Sequence, residues 1–223
     1  MSRYGLSAAA TGQLRSLVAI VARDPLAPTA VRDAHRVIDD HLADSLVGLE
    51  LEPARTAGSI ADLGAGAGFP ALPLAIARPE ASVTLVESST RKCAFLTRAV
   101  AACGVVNAQV VNARVESWPD GAGRFDLVTA RALAPLPVVV EYGAPLLRIG
   151  GALVVWRGHR DRNGEQAAAA AAAQLGLETR EPLSVHPYAG VEHRYLHVMV
   201  KARRTPDGFP RRPGIACKRP LGG

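Results

Sequence analysis

The chain has 223 residues, 48% apolar and 21% charged, with three cysteines and a net charge of +6. These values suit one domain with a short extension and exclude an intrinsically disordered chain and a disulfide-stapled scaffold. Leu14–Ala22 is apolar but falls well short of the ~20 residues of a membrane span, so it reads as a helix with one buried face.

Cys93 and Cys103 fall on one predicted helix, about 15 Å apart at 1.5 Å per residue, too far to bridge. With Cys217 they form no metal-ligand pair, so no metal and a reducing cytoplasm are expected. The charge is uneven. Lys201, Arg203, Arg204, Arg211, Arg212, Lys218 and Arg219, against Asp207 alone, carry the whole excess, and residues 1–200 are neutral. A neutral body with a basic tail points to a polyanion, or to a tail that serves solubility.

In chain order, residues 7–23 read as a helix. A second helical region covers 29–50, with Thr29 as its cap and Val31, Ala34, Val37, Ile38, Leu42, Leu46 and Leu49 at helical spacing. Strands are predicted at 59–63, 82–87, 108–112, 125–130 and 151–156, and helices at 71–78, 89–102, 136–147 and 162–175. The last of these helices holds an alanine run beginning at Ala167. Segments 178–185 and 195–200 read as two final strands able to pair antiparallel. The alternation predicts a doubly wound, Rossmann-like α/β fold with a mostly parallel seven-stranded sheet. Residues 1–52 form a helical extension, 53–202 the core and 203–223 the basic tail.

The first strand runs into Asp62-Leu63-Gly64-Ala65-Gly66-Ala67-Gly68. Ligands of an open parallel sheet bind beyond the carboxyl ends of its strands, and glycines there permit positive φ and close backbone approach. Glu87 ends the next strand, 21 residues after Gly66, where an acid typically meets ribose hydroxyls. A dinucleotide fingerprint would place its third glycine at position 69, which is Phe69. The run suits S-adenosyl-L-methionine better, whose ammonium group matches Asp62. A ligand-free turn and NAD binding stay open as lesser readings.

Arg131 follows the fourth strand, at the carboxyl edge, where its fork of donors suits a cofactor carboxylate, an RNA phosphate or a surface ion pair. His41 and Asp44 share a helix face and either order the segment over the pocket or pin the extension to the sheet. His193 and His197, about 13 Å apart on a strand, do not make a metal pair. Arg194 is a phosphate contact or a solvated charge. Trp118 and Trp156 read as core more readily than as base-stacking platforms.

The segments "HLADS", "DLGAGAGFPALPLAI", "LVES", "ARVES", "TARALA" and "FPRRPGIACKRPL" occur in this order. Together they resemble the bacterial small-subunit ribosomal RNA guanine-N7 methyltransferases, once called glucose-inhibited division protein B. The resemblance covers nearly the whole chain. It implies a class I S-adenosyl-L-methionine-dependent methyltransferase acting as a cytoplasmic monomer on 16S ribosomal RNA or the small-subunit particle. It implies cofactor contacts at Gly64, Phe69, Val115 and Glu116, with Arg131 beside the methyl-transfer site. Asp62, Gly66 and Glu87 join them from the reading above. Three positions depart from the family pattern: Ala27-Pro28-Thr29 where an Asn is usual, Arg157-Gly158 for Lys-Gly, and Ala71 for Gly. The alternative is a methyltransferase of the same fold acting on a small molecule or protein.

Overall fold

A computed structural model of the chain describes residues 2–222. Helix α1 (Ala8–Arg23) opens on Ser7, whose hydroxyl accepts the Ala10 N–H, and buries Leu14, Leu17, Val18 and Val21. The next helical run begins later than predicted. Thr29 caps no helix; its hydroxyl accepts the Val31 N–H in a turn. Asp33 supplies the cap for α2 (Ala34–Arg36). The backbone then widens into a π-helical stretch, Val37–Ala43, before tightening through α3 (Asp44–Leu46) and a 3-10 turn, Val47–Glu50. Such widening is uncommon and often marks functional sites. Helix α4 (Glu52–Thr56) leads into the sheet.

Strands β1 (Ser59–Leu63), β2 (Ser82–Glu87), β3 (Ala108–Asn112), β4 (Phe125–Arg131) and β5 (Leu147–Arg157) are mutually parallel where they pair. Strand β8 (Tyr195–Lys201) joins β5 antiparallel. The predicted strand 178–185 is two short pieces, β6 (Leu177–Thr179) and β7 (Leu183–Ser184), both antiparallel to β8. Pro182 lies in the gap between them and has no N–H to donate. The order β3-β2-β1-β4-β5-β8-β6 is that of a doubly wound, Rossmann-like sheet.

Helices α5 (Ala71–Ala77), α6 (Thr90–Ala102), α7 (Leu136–Gly143) and α8 (Arg162–Leu175) connect the strands. Helix α1, residues 37–57, α5 and α6 build one core layer around Leu14, Leu72, Phe95 and Leu96. Helices α7, α8 and the short α9 (Ile215–Lys218) build the other, around Val138, Val140, Leu153 and Leu175. The alanine run buries Ala168, Ala171 and Ala172, spaced for one helix face. Among the described residues, no helix is long and apolar enough to cross a membrane.

The C-terminal segment is not a free arm. Lys201 belongs to β8 and is buried. The fully buried Glu141 of α7 accepts from the backbone N–H and the guanidinium of Arg211, and Ala216 enters the second core. Arg203, Arg204, Arg212, Lys218 and Arg219 remain exposed. Deleting residues 203–223 would therefore uncover core and an unpaired buried carboxylate, so the charge of this segment has to be probed by point substitution.

Candidate active site

The carboxyl ends of β1 and β2 meet at the glycine turn. The Gly64 and Ala65 N–H groups donate to the Val86 carbonyl, and Gly64, Gly66 and Gly68 all take positive φ, at +67°, +55° and +91°. Their reasons differ. A Cβ at Gly64 would meet Leu133 Cδ1 at 2.5 Å, and one at Gly68 would meet Leu72 Cδ1 at 2.5 Å. A Cβ at Gly66 would meet only the Gly64 carbonyl oxygen, at 3.6 Å. Two glycines thus answer to packing, and Gly66 alone faces open space. Glu87 is buried beside it. Its Oε2 accepts the Gly66 N–H at 3.1 Å and its Oε1 accepts the Ser89 N–H at 2.9 Å.

Asp62 is 1% exposed. Its Oδ1 accepts the Thr129 hydroxyl at 2.7 Å, and its Oδ2 has no hydrogen-bond partner. Burial pushes its carboxyl up to about 7, against the opposing pull of the Thr129 hydroxyl and the Arg131 charge. A buried, half-satisfied carboxylate at a strand exit is an acceptor held ready for a cationic or hydrogen-bonding group.

Arg131, at the end of β4, turns toward the N-terminal helices. Its Nη1 donates to Asp44 Oδ2 at 2.8 Å and to the Asp40 carbonyl at 3.0 Å; its Nη2 lies 3.1 Å from His41 Nδ1. The guanidinium carbon lies 5.5 Å from the centre of the Phe69 ring, and the His41 ring packs on the same phenylalanine at 4.7 Å. The next residue, Ala132, has φ +54°, rare for a residue with a side chain. Leu133 then fills the space over Gly64. One short turn thus links the glycine loop to the Arg131 cluster.

Asp44 is the centre of that cluster. Its second carboxylate oxygen accepts from Arg194 Nε at 2.9 Å, and its carbonyl accepts the Trp156 indole N–H at 2.7 Å. Burial, and then the Arg131 charge, hold the His41 imidazole below its ordinary pKa. Its Nδ1 lies 3.1 Å from both Arg131 Nη2 and the Asp40 carbonyl, and its Nε2 lies 2.8 Å from the Thr29 hydroxyl. Of the two roles open to the His41–Asp44 pair, pinning the extension to the sheet is the one the contacts display.

Val115 is buried at the start of a 3-10 turn after β3. The Glu116 side chain faces the C-terminal segment, where Oε1 accepts from the Tyr142 hydroxyl and the Gly214 N–H, each at 3.1 Å. His197 is buried facing Glu165, and His193 packs on His159. Among the described residues no group of His, Cys, Asp and Glu is arranged to hold a metal. Trp118 packs against Phe125. Sequence reasoning did not find Asp40, whose Oδ1 accepts the Tyr188 hydroxyl at 2.7 Å, or the Trp156 bond to Asp44. These contacts join residues more than a hundred positions apart, and no local spacing announces them.

The model of the family described as "GidB: rRNA small subunit methyltransferase G" matches residues 24–192. A "Ribosomal RNA small subunit methyltransferase G" from Rubrobacter xylanophilus is 43% identical over 200 residues, covering 86% of this chain and 76% of the relative. The chain belongs to the rRNA small subunit methyltransferase G family. A relative of the same name from Chloroflexus aggregans is 41% identical over 206 residues, 91% of this chain and 85% of its own length. Among solved structures, an O-methyltransferase family protein from Burkholderia thailandensis superposes with TM-score 0.57 at 15% identity, covering 77% of this chain and 59% of that one. A mutant 16S rRNA (adenine(1408)-N(1))-methyltransferase from Catenulisporales acidiphilia, solved with cosubstrate SAM, gives 0.55 at 19%, covering 70% and 90%. At such identities these two speak for the fold. It is the class I methyltransferase fold, and the methyl donor of this family is S-adenosyl-L-methionine.

The residues present fit that donor. Gly66 offers uncovered backbone, Glu87 a buried carboxylate beside it, and Asp62 an unused buried oxygen. The raised pKa of Asp62 gives a sign to test. Its ionisation is resisted in the folded protein, a penalty absent below about pH 4 that grows as pH rises to about 7. A cationic ammonium would favour the carboxylate, so binding below pH 7 releases a proton. The affinity for S-adenosyl-L-methionine should rise between pH 5.5 and 7, by up to about tenfold per unit, and level off above. Calorimetry across that range should show the slope in the wild type and lose it in Asp62→Asn.

Proposed function

We propose that this chain transfers the methyl group of S-adenosyl-L-methionine to N7 of a guanine in 16S ribosomal RNA, free or within the small-subunit particle, as a cytoplasmic monomer. The observation that carries the reading is the unsatisfied Asp62 oxygen beside the open Gly66 turn and Glu87, within a chain of this family. Asp62, Gly64, Gly66 and Glu87 would hold the donor, with Phe69 closing the loop side and the backbone at Val115 and Glu116 flanking the adenine. Residues 1–52 serve as the extension that shapes the RNA side, 53–202 as the catalytic core, and 203–223 as a basic segment docked on it.

When bound, S-adenosyl-L-methionine supplies an electrophilic methyl group on a sulfonium. N7 of guanine already carries an in-plane lone pair, so no proton has to leave before it attacks. The acid–base groups near Arg131 suit that chemistry. His41, Asp40 and Asp44 are each held by hydrogen-bond donors or acceptors of the protein, and none is free to act as a general base. The task of this chain is alignment, which can contribute roughly 7–11 kcal/mol to the barrier. Arg131 and Phe69, stacked at the junction of cofactor loop and extension, are placed to set it.

Arg131→Ala should lower transfer at least tenfold, about 1.4 kcal/mol in the barrier. Arg131→Lys keeps the charge beside Asp44 but loses the fork, and should retain thermal stability while still losing rate. Transfer is measured with labelled S-adenosyl-L-methionine and small-subunit particles from a strain lacking the enzyme, with the label then mapped. Wild-type rates in both variants would remove Arg131 from the site; label on any atom but a guanine N7 would overturn the assignment.

A further inference from the structure

Between the exits of β4 and β5 and the π-helical stretch lies a cavity of about 560 Å³. Four arginines, Arg36, Arg131, Arg157 and Arg194, face two aspartates, Asp40 and Asp44, across it. With His41 neutral, the lining carries a net charge of +2.

Both carboxylates are paired with protein donors. Asp44 accepts from Arg131 and Arg194, and Asp40 accepts from Tyr188 on one oxygen and Arg36 on the other. Both His41 ring nitrogens lie within hydrogen-bond distance of protein groups, Nδ1 of Arg131 and the Asp40 carbonyl and Nε2 of Thr29. The Trp156 N–H is spent on Asp44. Each carboxylate oxygen of the lining already accepts from a protein donor. Donors are in excess. Arg157 gives only Nη2 to a protein group, the Ala134 carbonyl, and it forms no ion pair among the described residues. It is half-buried, and burial disfavours its charge, a cost that an anion would offset.

This donor–acceptor balance decides what the cavity takes. The Watson–Crick edge of guanine presents N1–H and N2–H donors and would have to compete for carboxylate oxygens that already hold Arg131, Arg194, Arg36 and Tyr188. Its N7/O6 edge is the usual arginine target. In the proposed reaction, however, N7 must stay open to the methyl group, so that edge cannot be clamped. A phosphodiester has only acceptors and a negative charge, and it matches a guanidinium fork.

We propose that this cavity is a phosphodiester site for the RNA strand beside the target nucleotide, with Arg157 as its principal cation and Arg194, anchored by Asp44, as the second. The proposal rests on 16S ribosomal RNA being the substrate. Arg157 then seats the strand so that the neighbouring base reaches the Arg131–Phe69 junction.

The test uses full-length protein and a single-stranded RNA carrying the target guanine, with binding measured against salt. Arg157→Gln should weaken RNA binding about tenfold. It should also reduce the log–log salt slope by about 0.7, one phosphate contact on a single strand. The dissociation constant for S-adenosyl-L-methionine should not change. Arg157→Lys should restore the slope but only part of the affinity. Melting curves of both variants separate a lost contact from a lost fold. Unchanged RNA affinity and slope in a folded Arg157→Gln protein would overturn the site, as would a parallel loss of cofactor binding, which would place Arg157 with the donor. Inorganic phosphate is titrated alone as a second arm. If it saturates an Arg157-dependent site while RNA binding ignores Arg157, the cavity serves free phosphate and the proposal fails. Wild-type methyl transfer, assayed on the same preparation, reports on the substrate reading separately.

Discussion

Asp44→Ala should destabilise the protein by about 3–5 kcal/mol, the usual consequence of removing one partner from a buried ion pair. In a chain of this length that lowers the melting temperature by on the order of 10 °C. The side chain of Asp44 is 5% exposed and bridges Arg131 and Arg194, whose own side chains are only 16% and 29% exposed. Truncation leaves two guanidiniums facing each other with no carboxylate between them. The loss reaches further than one pair. The π-helical stretch is joined to β4 through Arg131, and the entry to β8 is joined to it through Arg194. Methyl transfer should therefore fall with stability, since Arg131 loses the partner that fixes it over Phe69. Calorimetric unfolding of Asp44→Ala and Asp44→Asn makes the measurement, with the amide expected to recover part of the loss through its carbonyl oxygen. A melting temperature within a degree or two of wild type for Asp44→Ala would show that the cluster does not hold the extension down.

The second large effect separates two glycines of one turn. Gly68→Ala should cost about 2–5 kcal/mol, the sum of a left-handed penalty and overpacking. Its methyl would lie 2.5 Å from Leu72 Cδ1 and 3.4 Å from Leu96 Cδ2, in the core beneath α5 and α6. Gly66→Ala carries only the φ penalty, about 1–2 kcal/mol, because its methyl enters open space. The proposed reading brings the nucleoside of the donor to that space. Gly66→Ala should thus remain folded yet lose at least tenfold in affinity for S-adenosyl-L-methionine, while Gly68→Ala should mainly lower the melting temperature. Paired melting and calorimetric titrations decide. Wild-type affinity in Gly66→Ala would mean that the turn does not cradle the donor.

The parts legible in the sequence are those with a local signature. Strands β1 to β4 show as short runs and β5 over 151–156, though its first residue, Leu147, reads as the end of a helix; α8 shows as an alanine run, and the glycine turn as a strand exit followed by an acid 21 residues on. The misread parts were decided by contacts that local pattern does not encode. Thr29 looked like a helix cap and is instead the partner of His41, twelve residues away. The helical spacing of Val37, Leu42 and Leu46 gave no sign of the π widening, and Asp40 and Asp44 meet Arg131 from β4. The basic C-terminal stretch looked like a solvated arm because charge was its plainest property. Glu141, the acid that pairs with Arg211, sits in a predicted helix 70 residues away from it. The Gly66–Glu87 pair was visible because both ends lie in one βαβ unit; the Arg131–Asp44–Arg194 cluster was not, because it joins three distant segments.

The Glu141–Arg211 pairing has a consequence for biosynthesis. The two residues are 70 positions apart, so at roughly 5–20 residues per second the ribosome needs about 4–14 s to reach the arginine after making the glutamate. Throughout that interval the acid lacks its counter-ion, and burying its charge would be costly, so its end of α7 is expected to seal against the sheet late. The face carrying α7 and α8 is therefore completed last, and nascent chains stalled between these two positions should be cut by proteases there before the opposite face is touched.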